Sequence, residues 1–344
     1  MPIVREHDLR RLAHDIAAAT GIPGDDARII SDHYVDSNLL GHDSHGVWFL
    51  ARGARGLKDR YVQWEDHEVV RENPCLTIID GKGCNGIVAV TRSVDLAVEK
   101  ARQATFGFVG LRNIGHIGRL GTFPPMMAEQ GMIGMVWLNG GGLFMAPFGS
   151  ADRRLRPEPI AFSAPRGGGR PPFMLDMSMT TVAGGNIEQK IVRDDPLPDG
   201  WLIDHEGKYV NDHRRYRDEE DTAVPPLGGL DFGHKGYGLA MMVEMIVGPL
   251  TGAGCTDGAQ GGGGVMVLAI DIEAFTDRDT YAAQVEALAS WVCSARPLPG
   301  VEQVYAPGEP EEAAKKRRLE EGIEIPDETW KDLVDVAVEF GVTI

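Results

Sequence analysis

The stretch Gly41-His42-Asp43-Ser44-His45-Gly46-Val47 gathers the side chains best suited to moving a proton. It lies between two amphipathic segments. Upstream, Ala27, Ile30 and Tyr34 recur at helical spacing after Pro23, and Gly41 follows Leu40 as a stop signal. Downstream, residues 47–57 read as a second helix. Ser44 then falls near an N-cap and His45 near a first helical turn. There the positive end of the helix dipole disfavours imidazolium and would hold the pKa near neutrality, where a histidine both gives and takes a proton. A capping turn with a partly buried, hydrogen-bonded histidine produces the same pattern. Hydrolysis by a His42/His45 metal pair or by Ser44 lacks a third ligand and a G-x-S-x-G elbow, so no metal is expected.

The elements that must position these residues follow from periodicity. Leu9, Leu12 and Ile16 mark a first helix over residues 5–20, and residues 52–60 continue as a basic helical piece. An acidic, unpatterned connection then runs to Asn73, where a domain boundary is placed. A strand at 75–80, a turn, a helix at 88–105 and a strand at 106–112 follow, with further strands at 131–138, 159–164, 173–177 and 264–270. Residues 193–226 read as polar surface. Gly233 to Gly238 opens an apolar helix whose N-terminus, with Lys235, suits a phosphate or carboxylate, although a glycine-capped buried helix with a surface lysine fits equally. Helices at 280–294, 310–321 and 327–340 complete the chain, and Lys315 to Arg318 read as a solvated face.

Composition narrows the class. With 344 residues, 43% hydrophobic and 25% charged, the chain has the makings of two units with proper cores. A net charge of −17, from 34 Lys+Arg against 51 Asp+Glu, argues against nucleic acid or an anionic membrane as partner. The charged first residues carry no secretory pattern and no apolar run is long enough to span a bilayer, so a cytoplasmic protein is expected. Cys75, Cys84, Cys255 and Cys293 lie far apart and read as buried free thiols. A literal G-x-G-x-x-G occurs at Gly81, Gly83 and Gly86. The following strand, Phe106 to Arg112, lacks the acid that would hold a ribose, so a Rossmann site is not inferred.

Several segments in order resemble the malate/L-lactate dehydrogenase type 2 family: Gly41-His-Asp-Ser-His-Gly-Val47, Arg112-Asn113-x-x-His116-x-Gly118, Gly131-Met-Ile-Gly134 followed by Asn139, Pro159-Ile-Ala161, Asp176-Met-Ser178, Pro198-x-Gly-Trp201, Gly233-His-Lys-Gly-Tyr-Gly-Leu239 and Pro307-Gly-Glu309. The resemblance covers nearly the whole chain. It implies an oxidoreductase that transfers hydride between NAD or NADP and a 2-oxo or 2-hydroxy acid. The implied α/β fold is non-Rossmann, with a mixed, largely antiparallel sheet in a central cofactor-binding domain packed on a helical domain formed by both chain ends. On that reading, residues 1–74 and 230–344 form the helical domain and residues 75–229 the dinucleotide-binding sheet domain, in a protein that is usually a homodimer. The resemblance makes His45 the acid/base, with Ser44 orienting it and Asn186 at the third relay position, and keeps His116 as a second proton-transfer candidate. It assigns the cofactor to His116, Ile117, Gly118, Arg119, Leu120, Gly121, Asn139, Ser178, Met179, Thr180, His234, Lys235, Gly308 and Glu309. The glycines would let backbone amides approach the pyrophosphate, and Arg119 would meet a 2′-phosphate or lie on the surface.

Three departures concern the substrate. Asn186 stands where relay members carry Asp, Phe49 where many carry a carboxylate-binding Arg, and Arg156-Pro157-Glu158 replaces Gly-Thr-Asn, removing a substrate-contacting threonine. They raise the alternative of a cofactor-binding member with altered substrate, such as an imino acid, or lost catalysis. On a helix continuing from His45, Trp48, Phe49 and Arg52 share its face. Arg52 would then replace the lost carboxylate contact, and the two rings would favour a bulkier 2-oxo acid over pyruvate. Aromatic residues at this spacing also simply pack.

Overall fold

The computed structural model describes residues 1–57, 61–217, 221–256 and 263–344. A short strand β1 (Ile3–Val4) leads into α1 (Glu6–Ala19), α2 (Gly24–Leu39) and, after the His45 segment, α3 (Val47–Leu57). A hairpin of β2 (Glu68–Asn73) and β3 (Leu76–Cys84) is followed by α4 (Gly86–Ala104), β4 (Phe106–Ile114), α5 (Phe123–Ala128), β5 (Met132–Asn139), β6 (Ile160–Ala164) and β7 (Phe173–Met177). Then come α6 (Gly184–Val192), the minor pair β8 (Ile203–Asp204) and β9 (Thr222–Ala223), the single turn α7 (Gly229–Phe232) and α8 (His234–Thr251). The chain closes with β10 (Gly264–Asp271), α9 (Arg278–Cys293), α10 (Glu309–Glu321), β11 (Ile323–Glu324) and α11 (Asp327–Glu339). The expected helical residues 58–60 and glycines 261–262 lie outside the described residues.

Seven strands form one mixed sheet in the order β2-β3-β4-β10-β5-β6-β7. Only β3 and β4 run parallel, because α4 is long enough to return the chain to the same end; the other neighbours are antiparallel. β10 sits between β4 and β5 and is buried along Gly264 to Ala269, which explains its unbroken apolar sequence. Two boundaries read from sequence therefore need correction. The acidic connection before Asn73 contains β2, an exposed edge strand whose lack of a buried face erases the alternating pattern, and the C-terminal part contributes the central strand β10.

The chain ends meet in a second core. Leu9, Leu12 and Ile16 of α1, Ile30 of α2 and Leu50 of α3 pack with Ile323, Leu333 and Val336, and β1 pairs antiparallel with β11. The glycine triplet has a packing explanation. A Cβ on Gly86 would strike the Gly115 carbonyl, and the start of α4 is already capped by Asn85, whose Oδ1 accepts from the amides of Ile87 and Val88 at 3.0 and 3.3 Å. Of the four thiols only Cys84 is buried, while Cys255 is exposed and the other two are intermediate. Among the described residues no helix is long and apolar enough to cross a membrane.

Candidate active site

Asp43 to His45 form one turn of 3-10 helix, and α3 does not continue from it, because Gly46 is extended (φ −89°, ψ −154°). Asn38, near the end of α2, holds this break: its Oδ1 accepts the Val47 amide at 2.9 Å and its Nδ2 donates to Asp43 at 2.7 Å. A side chain on Gly46 would collide with that amide group. From α10, Arg318 grips the Asp43 carboxylate through two nitrogens at 2.6 and 3.0 Å and also donates to the Asn38 carbonyl. Lys315 to Arg318 is thus not simply a solvated face, since Arg318 is three-quarters or more shielded and pins the Asp43–His45 segment. Neither Asn38 nor Arg318 was singled out from sequence; Arg318 lies 273 or more positions from the segment it holds, and only the i to i+3 spacing of Asp43 and Gly46 hints at a capped break.

Ser44 Oγ lies 3.1 Å from His45 Nδ1, leaving Nε2 for a substrate. The His45 ring is stacked against His116 with 6.4 Å between centroids and 15° between planes, and Phe49 lies 5.9 Å from His45 and 4.5 Å from His116. Burial pushes the His45 pKa down to about 4, helped by His116, His42 and Arg119. The dipole-tuned value near neutrality expected from sequence is therefore corrected: His45 is on no α-helix N-terminus, and desolvation dominates. Desolvation lowers His116 as well. His42 faces Glu311 at 3.5 Å, so the two histidines have separate partners, and the described residues contain no group of three or more His, Cys, Asp or Glu that could hold a metal.

The other relay and substrate candidates are only partly assembled. α6 reaches the site through Gly185, where a Cβ would lie 2.9 Å from that of Ser44. Asn186 is exposed; its amide bonds the Ala183 carbonyl at 3.0 Å, and its side chain has no hydrogen bond among the described residues. The expected row of Trp48, Phe49 and Arg52 beside His45 is corrected too, because the break at Gly46 resets the helical phase. Arg52 lies 4.3 Å over the Trp48 ring and reaches Glu328 of α11 at 3.9 Å. Trp48 meets Phe49 edge-on, and only Phe49 stands against the histidines.

Three amides of the turn after β4 are taken by protein side chains. Gly118 N donates to His116 Nδ1 at 3.2 Å, Arg119 N to His33 Nε2 at 2.8 Å and Gly121 N to Asp176 Oδ2 at 2.8 Å. These three amides are therefore already engaged by the protein, and the glycines allow a tight turn, with Gly118 at φ +68°. Ile117 and Leu120 are buried in the sheet core. Arg119 is 3% exposed with its Nε 3.4 Å from Asp176, so it does not lie on the surface.

A cleft of about 770 Å³ runs along this turn, within the range of small-molecule sites. Arg119, Gly121, Gly308, Arg170 and Lys315 line it together with Asp32, Asp36, Asp95, Glu311 and Glu312, so the turn and the Gly308 loop border one space whose walls carry both signs of charge. Glu309 points elsewhere, accepting from Arg166 at 3.1 Å and from Ala306 N at 3.0 Å. Asn139 is wholly buried and donates to Glu244 at 2.6 Å, so its side chain belongs to the interior. Met179 is also fully buried, and Ser178 and Thr180 hydroxyls bond each other at 2.8 Å. His234 and Lys235 are exposed beside Phe148 and Phe232. The helix start there is not open, since α7 runs into α8 and the amides of Gly236 and Tyr237 already bond Leu227 and Gly233 carbonyls.

A mixed-sheet α/β protein with a serine-oriented histidine opposite a second histidine has the makings of an acid/base oxidoreductase. Comparison with known proteins gives the class. Residues 4–334 match the malate/L-lactate dehydrogenase family, and the chain belongs to it. A malate dehydrogenase of Pyrococcus abyssi is 32% identical, covering 94% of this chain and 90% of that protein. An L-lactate dehydrogenase of Cupriavidus necator is 30% identical over 97% of each. The solved structure of the sulfolactate dehydrogenase from Methanocaldococcus jannaschii superposes with a TM-score of 0.86 at 30% identity, covering 99% of this chain and 98% of that one. Homologues are hydroxy-acid dehydrogenases, and the chain is an oxidoreductase of that family.

Proposed function

We propose that this chain interconverts a 2-hydroxy acid and its 2-oxo acid with NAD or NADP, using His45 as the acid/base. The observation that carries the reading is the Ser44–His45 pair facing His116, which opens the turn whose Arg119 and Gly121 line the cleft. When bound, the nicotinamide cofactor accepts or supplies the hydride. Arg119 and Gly121 of the turn from His116 to Gly121, with Gly308 and the cations Arg170 and Lys315, would hold it; that they line one cleft supports the fit. Ser178, Thr180, His234 and Lys235 remain proposed contacts at its margins.

His45 moves the proton at Nε2. In oxidation, a neutral ring whose Nδ1–H donates to Ser44 Oγ presents a bare Nε2 that takes the substrate hydroxyl proton as the Nδ1 proton passes to Ser44 Oγ, whose own hydroxyl proton leaves to solvent. In reduction, the other tautomer gives its Nε2 proton to the carbonyl oxygen while Ser44 donates its hydroxyl proton to Nδ1 and is reprotonated from solvent. A serine hydroxyl both donates and accepts, so the pair works without a populated imidazolium. Asn186, exposed and with no side-chain hydrogen bond among the described residues, takes no part in this relay. Phe49, stacked on His116 where a carboxylate-binding arginine stands in many relatives, supports a substrate with an apolar or bulky group at that wall.

Only β3 and β4 run parallel, which supports a non-Rossmann cofactor site, and the shared core of the two chain ends supports a helical domain packed on the sheet. The exposed Trp291 and Leu288 of α9 support a homodimer. The test is a screen of 2-oxo acids of varied size with NADH and NADPH, following loss of reduced cofactor, on wild type, His45→Ala and His116→Ala. Removing the acid/base should cost roughly two to four orders of magnitude in kcat with cofactor affinity retained. Near-wild-type turnover in His45→Ala, with loss in His116→Ala, would transfer the role to His116.

A further inference from the structure

His33 has no place in the proton relay, yet it is 3% exposed and lies between the two parts of the site. Its ring packs against Phe123 with 5.6 Å between centroids and meets Tyr34 edge-on at 5.8 Å. The third side is closed by Gly118, where any Cβ would enter the imidazole. Nε2 accepts the Arg119 amide at 2.8 Å, so the single ring proton of a neutral histidine must sit on Nδ1. That Nδ1 has no hydrogen-bond partner among the described residues. A buried donor is left unmatched so that the acceptor can be kept.

α2 carries a second fixing group five residues on, Asn38, which holds Asp43 and Val47 on either side of Ser44 and His45. One rigid helix therefore grips the His45 segment through Asn38 and the His116–Gly121 turn through His33. We propose that His33 is a positioning residue that sets the spacing of His116 and the adjoining turn relative to His45, acting as a fixed acceptor for the Arg119 amide. The turn is a cofactor-binding element only if the proposed dehydrogenase reading holds. Desolvation, with Arg119, His116 and His45 nearby, pushes the His33 pKa down to about 3, so the acceptor persists across the physiological range.

The test compares His33→Gln, whose side-chain oxygen can accept the amide, with His33→Leu, which cannot. Amide exchange at residues 117–121 should quicken roughly ten- to a hundredfold in His33→Leu, as expected for a buried donor that loses its acceptor, and recover largely in His33→Gln. In parallel, KM for the cofactor should rise about tenfold in His33→Leu, more than kcat falls, with partial recovery in His33→Gln. Nitrogen NMR of the wild type should show the Nδ1–H tautomer with no titration between about pH 5 and 8. An Nε2–H tautomer, a titrating ring, or unchanged exchange in His33→Leu would overturn the proposal. If His33→Leu does not fold, the tautomer and the His33→Gln exchange still decide it. Wild type that neither binds nor turns over NADH or NADPH would refute the dehydrogenase reading alone, since exchange and tautomer judge His33 without cofactor.

Discussion

At the scale of single residues, His45 behaves as a desolvated imidazole. With a pKa lowered to about 4, roughly one molecule in a thousand carries imidazolium at neutral pH. For oxidation the active form is neutral, so kcat/KM should stay level as pH falls and break only near 4. Its profile reports the free enzyme, and an acid limb above about 6 would contradict this assignment. Arg52 offers a second check. Stacked on Trp48 and facing Glu328, it has no role at the substrate, and Arg52→Ala should leave KM for every accepted acid within about twofold. Ser44 and His45 were legible as a pair because their types and the flanking stop signals are local. The partners of Arg52 were not, because a helical wheel drawn from His45 assumes a helix that Gly46 interrupts.

At the scale of elements, the site is a set of joints between segments remote in sequence. α10 anchors the Asp43–His45 turn through Arg318, a half-buried bidentate pair with Asp43. Arg318→Ala leaves that carboxylate with only the Asn38 amide and no countercharge and should cost about 1–3 kcal/mol in denaturant unfolding, together with a fall in kcat of about tenfold or more. An unchanged kcat would show that the turn holds its shape without α10. Helices such as α1 and α11 were legible from apolar spacing. α6 was not, since its start, Gly184-Gly185, reads as a turn and its role depends on Ser44 lying opposite. β2 escaped because an exposed edge strand has no apolar face to announce it.

At the scale of the whole molecule, the substituted segment Arg156-Pro157-Glu158 has an interior consequence. Glu158 is wholly buried at φ +41°, its carboxyl against Glu244, which in turn holds Asn139 and the Thr256 amide. Desolvation, then the neighbouring Glu244, pushes the Glu158 pKa up to about 10, with Arg156 opposing. The folded state therefore keeps a proton that the unfolded chain gives up near the usual carboxylate value of about 4.5. This group's contribution to stability is full below that value and is lost as pH rises towards 10. Glu158→Gln should match wild type near pH 5 and exceed it by a few degrees in Tm near pH 9. A gap independent of pH would mean that Glu158 is ionised in the fold.

The sequence by itself determined the helices with one apolar face, the strands of the sheet interior, the Ser44–His45 pair and the family, because each rests on local spacing or on ordered motifs. Tertiary structure alone decided that β10 enters between β4 and β5, that both chain ends close one core, and that Asn38, His33 and Arg318 hold the site. It also decided that the amides of the glycine-rich turn are taken by His116, His33 and Asp176. The physical reason is the same in each case. Burial, desolvation and side-chain pairing depend on which distant segments are brought together, and no local pattern of residue types encodes the partner.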